Sequence, residues 1–115
     1  MPIFKKIGNT YIGAYQCGAG QDAYLEVELV ANHVPVPELY AKSPMAFSLS
    51  DGVDPEAIRE AALLGAKMAN DKLGTTFGLK RIGYIPNDST RYSIHARIVS
   101  MIISRVHVLE SNEKK

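Results

Sequence analysis

The segment from Asp54 to Gly74 constrains the fold more than any other part of the chain. Asp54-Pro55 sets an acidic N-cap before a proline in the first helical position, where the missing N–H costs nothing, and Gly74 supplies the left-handed residue that ends a helix. The spacing predicts a helix from about Pro55 to Leu73. Its inner stripe, Ile58, Ala61, Ala62, Gly65, Ala66, Ala69 and Leu73, consists mostly of small residues, so the backbone can lie close to whatever it covers. Leu64 and Met68 extend that stripe, and Glu56, Arg59, Glu60, Lys67 and Asp71 form the solvated side. A helix of this kind needs a broad apolar layer to cover.

The strands supply that layer. From Ala23 to Ala31, period two puts Leu25, Val27, Leu29 and Ala31 on a core face and Tyr24, Glu26, Glu28 and Val30 on the other. Residues 3–16 read as one bent strand or a short hairpin about Gly8-Asn9. Asn32 to Pro44 holds Pro35, Pro37 and Pro44 and reads as an irregular connection, with a third strand over Met45 to Leu49. Lys80 to Ile85 is a further short strand, stopped by Pro86-Asn87-Asp88-Ser89.

The stretch from Tyr92 to Leu109 is rich in β-branched residues, which suit a strand. Its length without a breaker suits a helix, as does a polar stripe of Ser93, Arg97, Ser100, Ser104 and His107 opposite Tyr92, Ala96, Val99, Ile103 and Val106. It is read as a helix, with Ser111 to Lys115 as a polar tail. The expected fold class is therefore α+β, a βββαβα two-layer sandwich of one domain over residues 1–115, in which a four-stranded sheet carries two helices on one face. The second sheet face, bearing Tyr, Val and Ile, is expected to gain cover by homo-oligomerisation.

Composition narrows the function classes. The 115 residues are 46 % hydrophobic and 22 % charged, ordinary for a globular domain. Thirteen Lys and Arg against twelve Asp and Glu leave a formal charge of +1, too small for the basic footprint of a nucleic-acid binder. The single cysteine, Cys17, has no internal disulfide partner, no apolar run follows Lys5-Lys6 as in a secretory signal, and no stretch nears the ~20 apolar residues of a membrane span. A soluble, cytoplasmic location is expected, with no nucleic acid and no membrane as partner.

Candidate chemistry centres on the acidic strand. Glu26 and Glu28 share a face about 7 Å apart, a separation at which two carboxylates can divide acid and base roles, although two solvent-facing glutamates would look the same. Gly18 and Gly20, in the loop before them, would let backbone approach a ligand, with Gln21 and Asp22 at the rim. His33, just past the strand, is the histidine best placed to join them; His95 and His107 read as helix-surface residues. Lys80, Arg81, Arg91 and Arg97 are candidates for an anion site near the last strand and helix, with Lys80 and Arg91 as ligand-binding residues. No metal-ligand spacing and no cofactor fingerprint is present.

Two resemblances bear on function. Ile7-Gly8 through Gly18-Ala19-Gly20-Gln21-Asp22 to Val27-Glu28-Leu29, then Val34-Pro35-Val36-Pro37, then Ile85-Pro86-Asn87-Asp88 with Tyr92 and Arg105 together resemble the formaldehyde-activating enzyme family. That family joins formaldehyde to tetrahydromethanopterin on the left-handed βαβ fold of a ribosomal-protein domain. The likeness spans nearly the whole chain, which is shorter and lacks a helical insertion. Where the family has a histidine two residues before the acidic residue of its second strand, this chain has Glu26. The resemblance thus implies the fold, a homo-oligomer and small-molecule sites between subunits more than it implies the reaction. Separately, Met1-Pro2-Ile3 resembles the start of the tautomerase superfamily, whose unblocked proline amine is a general base, but there a helix follows the first strand at once.

Three functional expectations follow. The first is a small oligomeric enzyme or binder of a small carbonyl or pterin-like ligand, with lyase or condensation chemistry and a glutamate as acid or base. The second is a non-catalytic structural or interaction module. The third is a tautomerase using Pro2.

Overall fold

The computed structural model describes residues 2–15, 23–41, 54–85 and 92–113. Seven elements occur in the order β1 (Pro2–Ile7), β2 (Thr10–Tyr15), β3 (Ala23–Val30), β4 (Glu38–Ala41), α1 (Pro55–Leu73), β5 (Gly78–Tyr84) and α2 (Tyr92–Glu113). The class is α+β as expected, but the sheet has five strands instead of four, in the order β1-β2-β3-β5-β4. It is mixed: β4 runs parallel to β5, and the other neighbours are antiparallel.

Two segments account for the difference in strand number. Residues 3–16 resolve into the hairpin β1–β2, its turn made possible by Gly8 at φ 61°, where a left-handed residue continues the strand twist. The fourth strand lies within the stretch read as irregular. Pro35 and Pro37 both precede it, and an edge strand lacks a neighbour on one side, so the prolines set where β4 starts without preventing it. The strand expected over Met45 to Leu49 falls outside the described residues.

Helix α1 runs between the expected limits. Asp54 accepts a hydrogen bond from the Glu56 N–H at 3.0 Å, and Gly74 closes the helix at φ 69° with its N–H on the Asn70 carbonyl at 2.8 Å. Asn70 then fastens the exit: its amide donates to the Phe77 carbonyl and its Oδ1 accepts from Thr75 and from the Phe77 N–H. The small stripe is buried, but Leu64 and Met68, expected to extend it, are more than half exposed. The reason is how α1 meets α2. Gly65 sits so close to Ala96 that a Cβ there would run into the Ala96 carbonyl, and this contact turns residues 64 and 68 outward.

Helix α2 spans 22 residues and continues through Ser111–Glu113, where a tail was expected. Its β-branched residues are accommodated because Ile98, Val99, Ile102, Ile103 and Val106 are buried in the core with Ile58, Ala62, Ala66 and Ala69 of α1. The sheet contributes Ala23, Leu25, Val27, Leu79 and Ile82, all from one face. Packing thus outweighs the weak intrinsic preference of these side chains for strands. His95, read as a surface residue, is fully buried on α2, with its ring 5.9 Å from that of Tyr92.

Candidate functional site

Among the described residues, both helices lie on the core side of the sheet and none covers the opposite face. Strand register lays out its rows: Lys5, Ile12, Glu26, Gly83 and Tyr40 in one, Ile7, Thr10, Glu28, Arg81 and Glu38 in the next. Glu26 and Glu28 therefore share this face, as the alternation of β3 predicts, but their surroundings differ sharply.

Glu26 is only 7 % exposed. Two phenols hold it: Tyr24 donates to Oε2 at 2.7 Å and Tyr40 to Oε1 at 2.6 Å, lengths ordinary for a hydroxyl donating to a carboxylate. Gly83 makes this possible. A Cβ there would stand 2.5 Å from Cε2 and Cζ of Tyr40 and 2.6 Å from Cγ of Glu26, so the bare backbone of β5 is the floor on which both side chains lie. Arg81 completes the cluster, its guanidinium carbon 4.6 Å from the Tyr40 ring centroid and its Nε 3.5 Å from Glu38. Burial, then the hydrogen bond to Glu26 and its negative charge, push the Tyr24 phenol well above its ordinary 10.0. Tyr40 moves the same way for the same causes, with Arg81 pulling weakly against them. Both phenols thus stay protonated donors well past neutral pH. With each carboxylate oxygen already accepting, Glu26 is arranged as a fixed hydrogen-bonded centre.

Glu28 is more open. Its side chain is 23 % exposed and stands 4.0 Å from Lys80 at a β-bulge between β3 and β5. A groove of about 670 Å³ runs past it at the end of the sheet, lined among others by Lys6, Tyr11, Lys80, His107 and Glu110.

The remaining sequence candidates scatter. His33 is exposed beside Gly78 at the start of β5. Glu26 pairs with Gly83 five residues further on, about 16 Å along the strand, so the histidine and the acid are not together. Lys80 and Arg81 face the carboxylates of Glu28 and Glu38, and Arg97 lies exposed on α2. Gly18, Gly20, Gln21, Asp22 and Arg91 fall outside the described residues, as does Cys17. Pro2 opens the edge strand β1, opposite Tyr15. Among the described residues no three His, Cys, Asp or Glu side chains gather as a metal site, and no helix is long and apolar enough to cross a membrane.

Sequence reasoning missed Tyr40 and Gly83. Tyr24 was visible, one alternation step from Glu26; the other two reach the acid only through the β5–β4 pairing, which leaves no local signature. Comparison of the chain with protein-family models, with curated proteins and with solved structures finds no match.

Proposed function

We propose that this protein is a homo-oligomeric association module that works through its helix-free sheet face. The observation that carries the reading is the state of Glu26, an acidic side chain brought to near-complete burial on a face that neither described helix covers, with both oxygens engaged by phenols. A general base needs an accessible lone pair near its substrate. A docking face needs polar groups already satisfied, so that covering them strands nothing, and this arrangement meets that need. Around the cluster, Ile3, Ile7, Ile12, Ala14 and Val30 supply apolar surface on the same face, Ile7 being 65 % exposed.

The test is the molar mass in solution, by light scattering across a range of concentrations, for the parent and for Ile12→Lys. An oligomer that the lysine dissociates, with the circular dichroism spectrum unchanged, supports the reading. A parent that stays at the 12.6 kDa chain mass throughout, or an oligomer indifferent to the lysine, ends it.

One observation favours a second reading, a small-ligand site with carbonyl chemistry of the kind that the formaldehyde-activating resemblance implies. The groove beside Glu28 has the volume of a ligand pocket and sets two carboxylates, two lysines and a histidine around Tyr11. Calorimetric titration of the protein with formaldehyde and a tetrahydropterin tests it: binding that Glu28→Gln abolishes would establish this reading, and no heat from either compound would remove it.

A further inference from the structure

We infer that the groove at the end of the sheet binds a small zwitterion, a compound with a free carboxylate, a free ammonium group and an apolar body, as in an amino acid or a short peptide. This ligand class rests on the second reading, in which the groove is a ligand site, and is independent of the association reading.

Four parts of the chain meet at the groove: the β1–β2 hairpin, the end of β3, the connection from α1 into β5 and the last turns of α2. The connection is tied down on two sides. Asn70 accepts from the Thr75 hydroxyl at 2.7 Å and from the Phe77 N–H at 3.2 Å, and donates to the Phe77 carbonyl at 2.9 Å. The Thr76 hydroxyl donates to the Ala31 carbonyl at 3.0 Å, which joins the same connection to the end of β3. A wall held in this way does not have to be ordered when a ligand arrives. Tyr11, Phe77 and Val106 supply apolar lining, and the volume of about 670 Å³ lies within the roughly 300–1,000 Å³ of small-molecule sites.

The charges select the ligand. Two lysines and two glutamates line the groove, and only one of each is matched. Lys80 stands 4.0 Å from Glu28, so these two offset each other. The other ion pairs among the described residues are Arg59–Glu56, Lys67–Asp71 and Arg81–Glu38, and neither Lys6 nor Glu110 belongs to any of them. Lys6 lies over the Tyr11 ring, 5.6 Å from its centroid, an interaction that steadies the ammonium group without neutralising it. Glu110 is exposed on α2, one turn beyond His107. The hairpin thus brings an ammonium group and the helix a carboxylate to one groove, too far apart to pair with each other. A ligand of single charge would satisfy one and meet the other as a like charge, whereas a zwitterion satisfies both. Its carboxylate goes to Lys6, its ammonium to Glu110, and its apolar body against Tyr11, Phe77 and Val106.

The experiment is an NMR titration of the full chain with L-phenylalanine and with glycyl-phenylalanine, read as saturable amide shifts at Tyr11 and Phe77. Two analogues accompany them: N-acetylphenylalanine, which lacks the ammonium, and phenethylamine, which lacks the carboxylate. The zwitterion that binds better should exceed either analogue about fivefold or more, the gain expected of one solvent-exposed charged contact. A tighter L-phenylalanine identifies a free amino acid and a tighter dipeptide a short peptide, and either supports the class. Lys6→Gln, at an exposed position, should weaken the zwitterion about fivefold and leave phenethylamine unchanged, while Glu110→Gln should weaken the zwitterion and leave N-acetylphenylalanine unchanged. Analogues that bind as tightly as the zwitterions, or variants that bind them like the parent, overturn the assignment. Formaldehyde and a tetrahydropterin are titrated in parallel: if they bind in the groove and the zwitterions do not, the ligand site stands and this ligand class is wrong; if no compound gives saturable shifts, both are wrong.

Discussion

Gly83→Ala is the sharpest probe of the Tyr24–Glu26–Tyr40 cluster. The backbone at Gly83 is not left-handed, so alanine brings no φ penalty and the change isolates packing. The new methyl carbon would lie 2.5 Å from two ring atoms of Tyr40 and 2.6 Å from Cγ of Glu26, where carbon atoms settle at about 3.5–4.0 Å, so the ring must retreat by about 1 Å. That stretches the 2.6 Å bond from Tyr40 to Glu26 beyond hydrogen-bonding range. A bond to a charged group contributes about 1.5–3 kcal/mol, and the strain of an added carbon about 1–3 kcal/mol. Against this, alanine restricts the unfolded chain by about 0.4–1 kcal/mol. The net expectation is a loss of about 3 kcal/mol, read from urea unfolding as a lowered midpoint at unchanged m-value. Clash and ordinary strand preference are told apart by repeating the change in a Tyr40→Ala background. With the ring gone two of the three close contacts vanish, and Gly83→Ala should then cost less than about 1 kcal/mol, a coupling of about 2 kcal/mol. Equal cost in both backgrounds, or a Gly83→Ala variant within about 0.5 kcal/mol of the parent, would refute the packing argument.

Tyr40→Phe keeps the ring and removes only the donor, so it should destabilise by about 1.5–3 kcal/mol in the same urea assay; a neutral result would mean that the bond contributes nothing net. Because the Tyr24 and Tyr40 phenols are raised above 10.0, the folded state keeps protons that the unfolded chain loses, so their contribution to stability is complete below pH 10 and is lost as pH climbs through the higher folded values. Phenolate absorbance followed alongside unfolding should show late ionisation of these two tyrosines, moving to lower pH in Glu26→Gln, which removes the charge and one of the two acceptor oxygens but leaves the burial. Gly65→Ala drives a methyl group into the Ala96 carbonyl and should cost about 2–3 kcal/mol, by a thermal or urea melt, although alanine is the better helix former. Asp54→Ala removes the cap on α1 and should cost about 1 kcal/mol; a loss of helix signal without a loss of stability would contradict that role.

What the sequence disclosed and what it hid divide along the range of the interactions. Helix α1 was legible to the residue, because its start and stop are local devices: a side-chain oxygen two residues from the N–H it caps, and a left-handed glycine. The faces of β3 were legible because alternation is local too. Strand β4 was not, since a four-residue edge strand behind two prolines has almost no signal of its own and exists by pairing with β5 after α1 has returned the chain. The burial of His95 and the outward turn of Leu64 and Met68 were hidden for a similar reason, as each depends on where α1 crosses α2. The site divides in the same way: Tyr24 and Glu26 are two residues apart in sequence, while Tyr40 and Gly83 reach the acid only through strand register.

The hidden strand and the hidden half of the site are connected. A slip of β4 by one residue would send Tyr40 to the core face and Leu39 to the open one, since side chains alternate with period two. Hydrophobic patterning resists that slip weakly, because the strand is short and neither of its faces is fully buried. The carboxylate resists it more: the slip would take the Tyr40 hydroxyl away from Oε1 of Glu26, a side chain only 7 % exposed, and losing a hydrogen bond to a buried charged group costs about 1.5–3 kcal/mol. Gly83 restricts the choice further, since only the observed register places the Tyr40 ring over the residue that leaves room for it. The polar centre of the open face therefore fixes the edge strand whose own sequence specifies it least, and in doing so holds Glu38 in register with Arg81, 3.5 Å from its Nε.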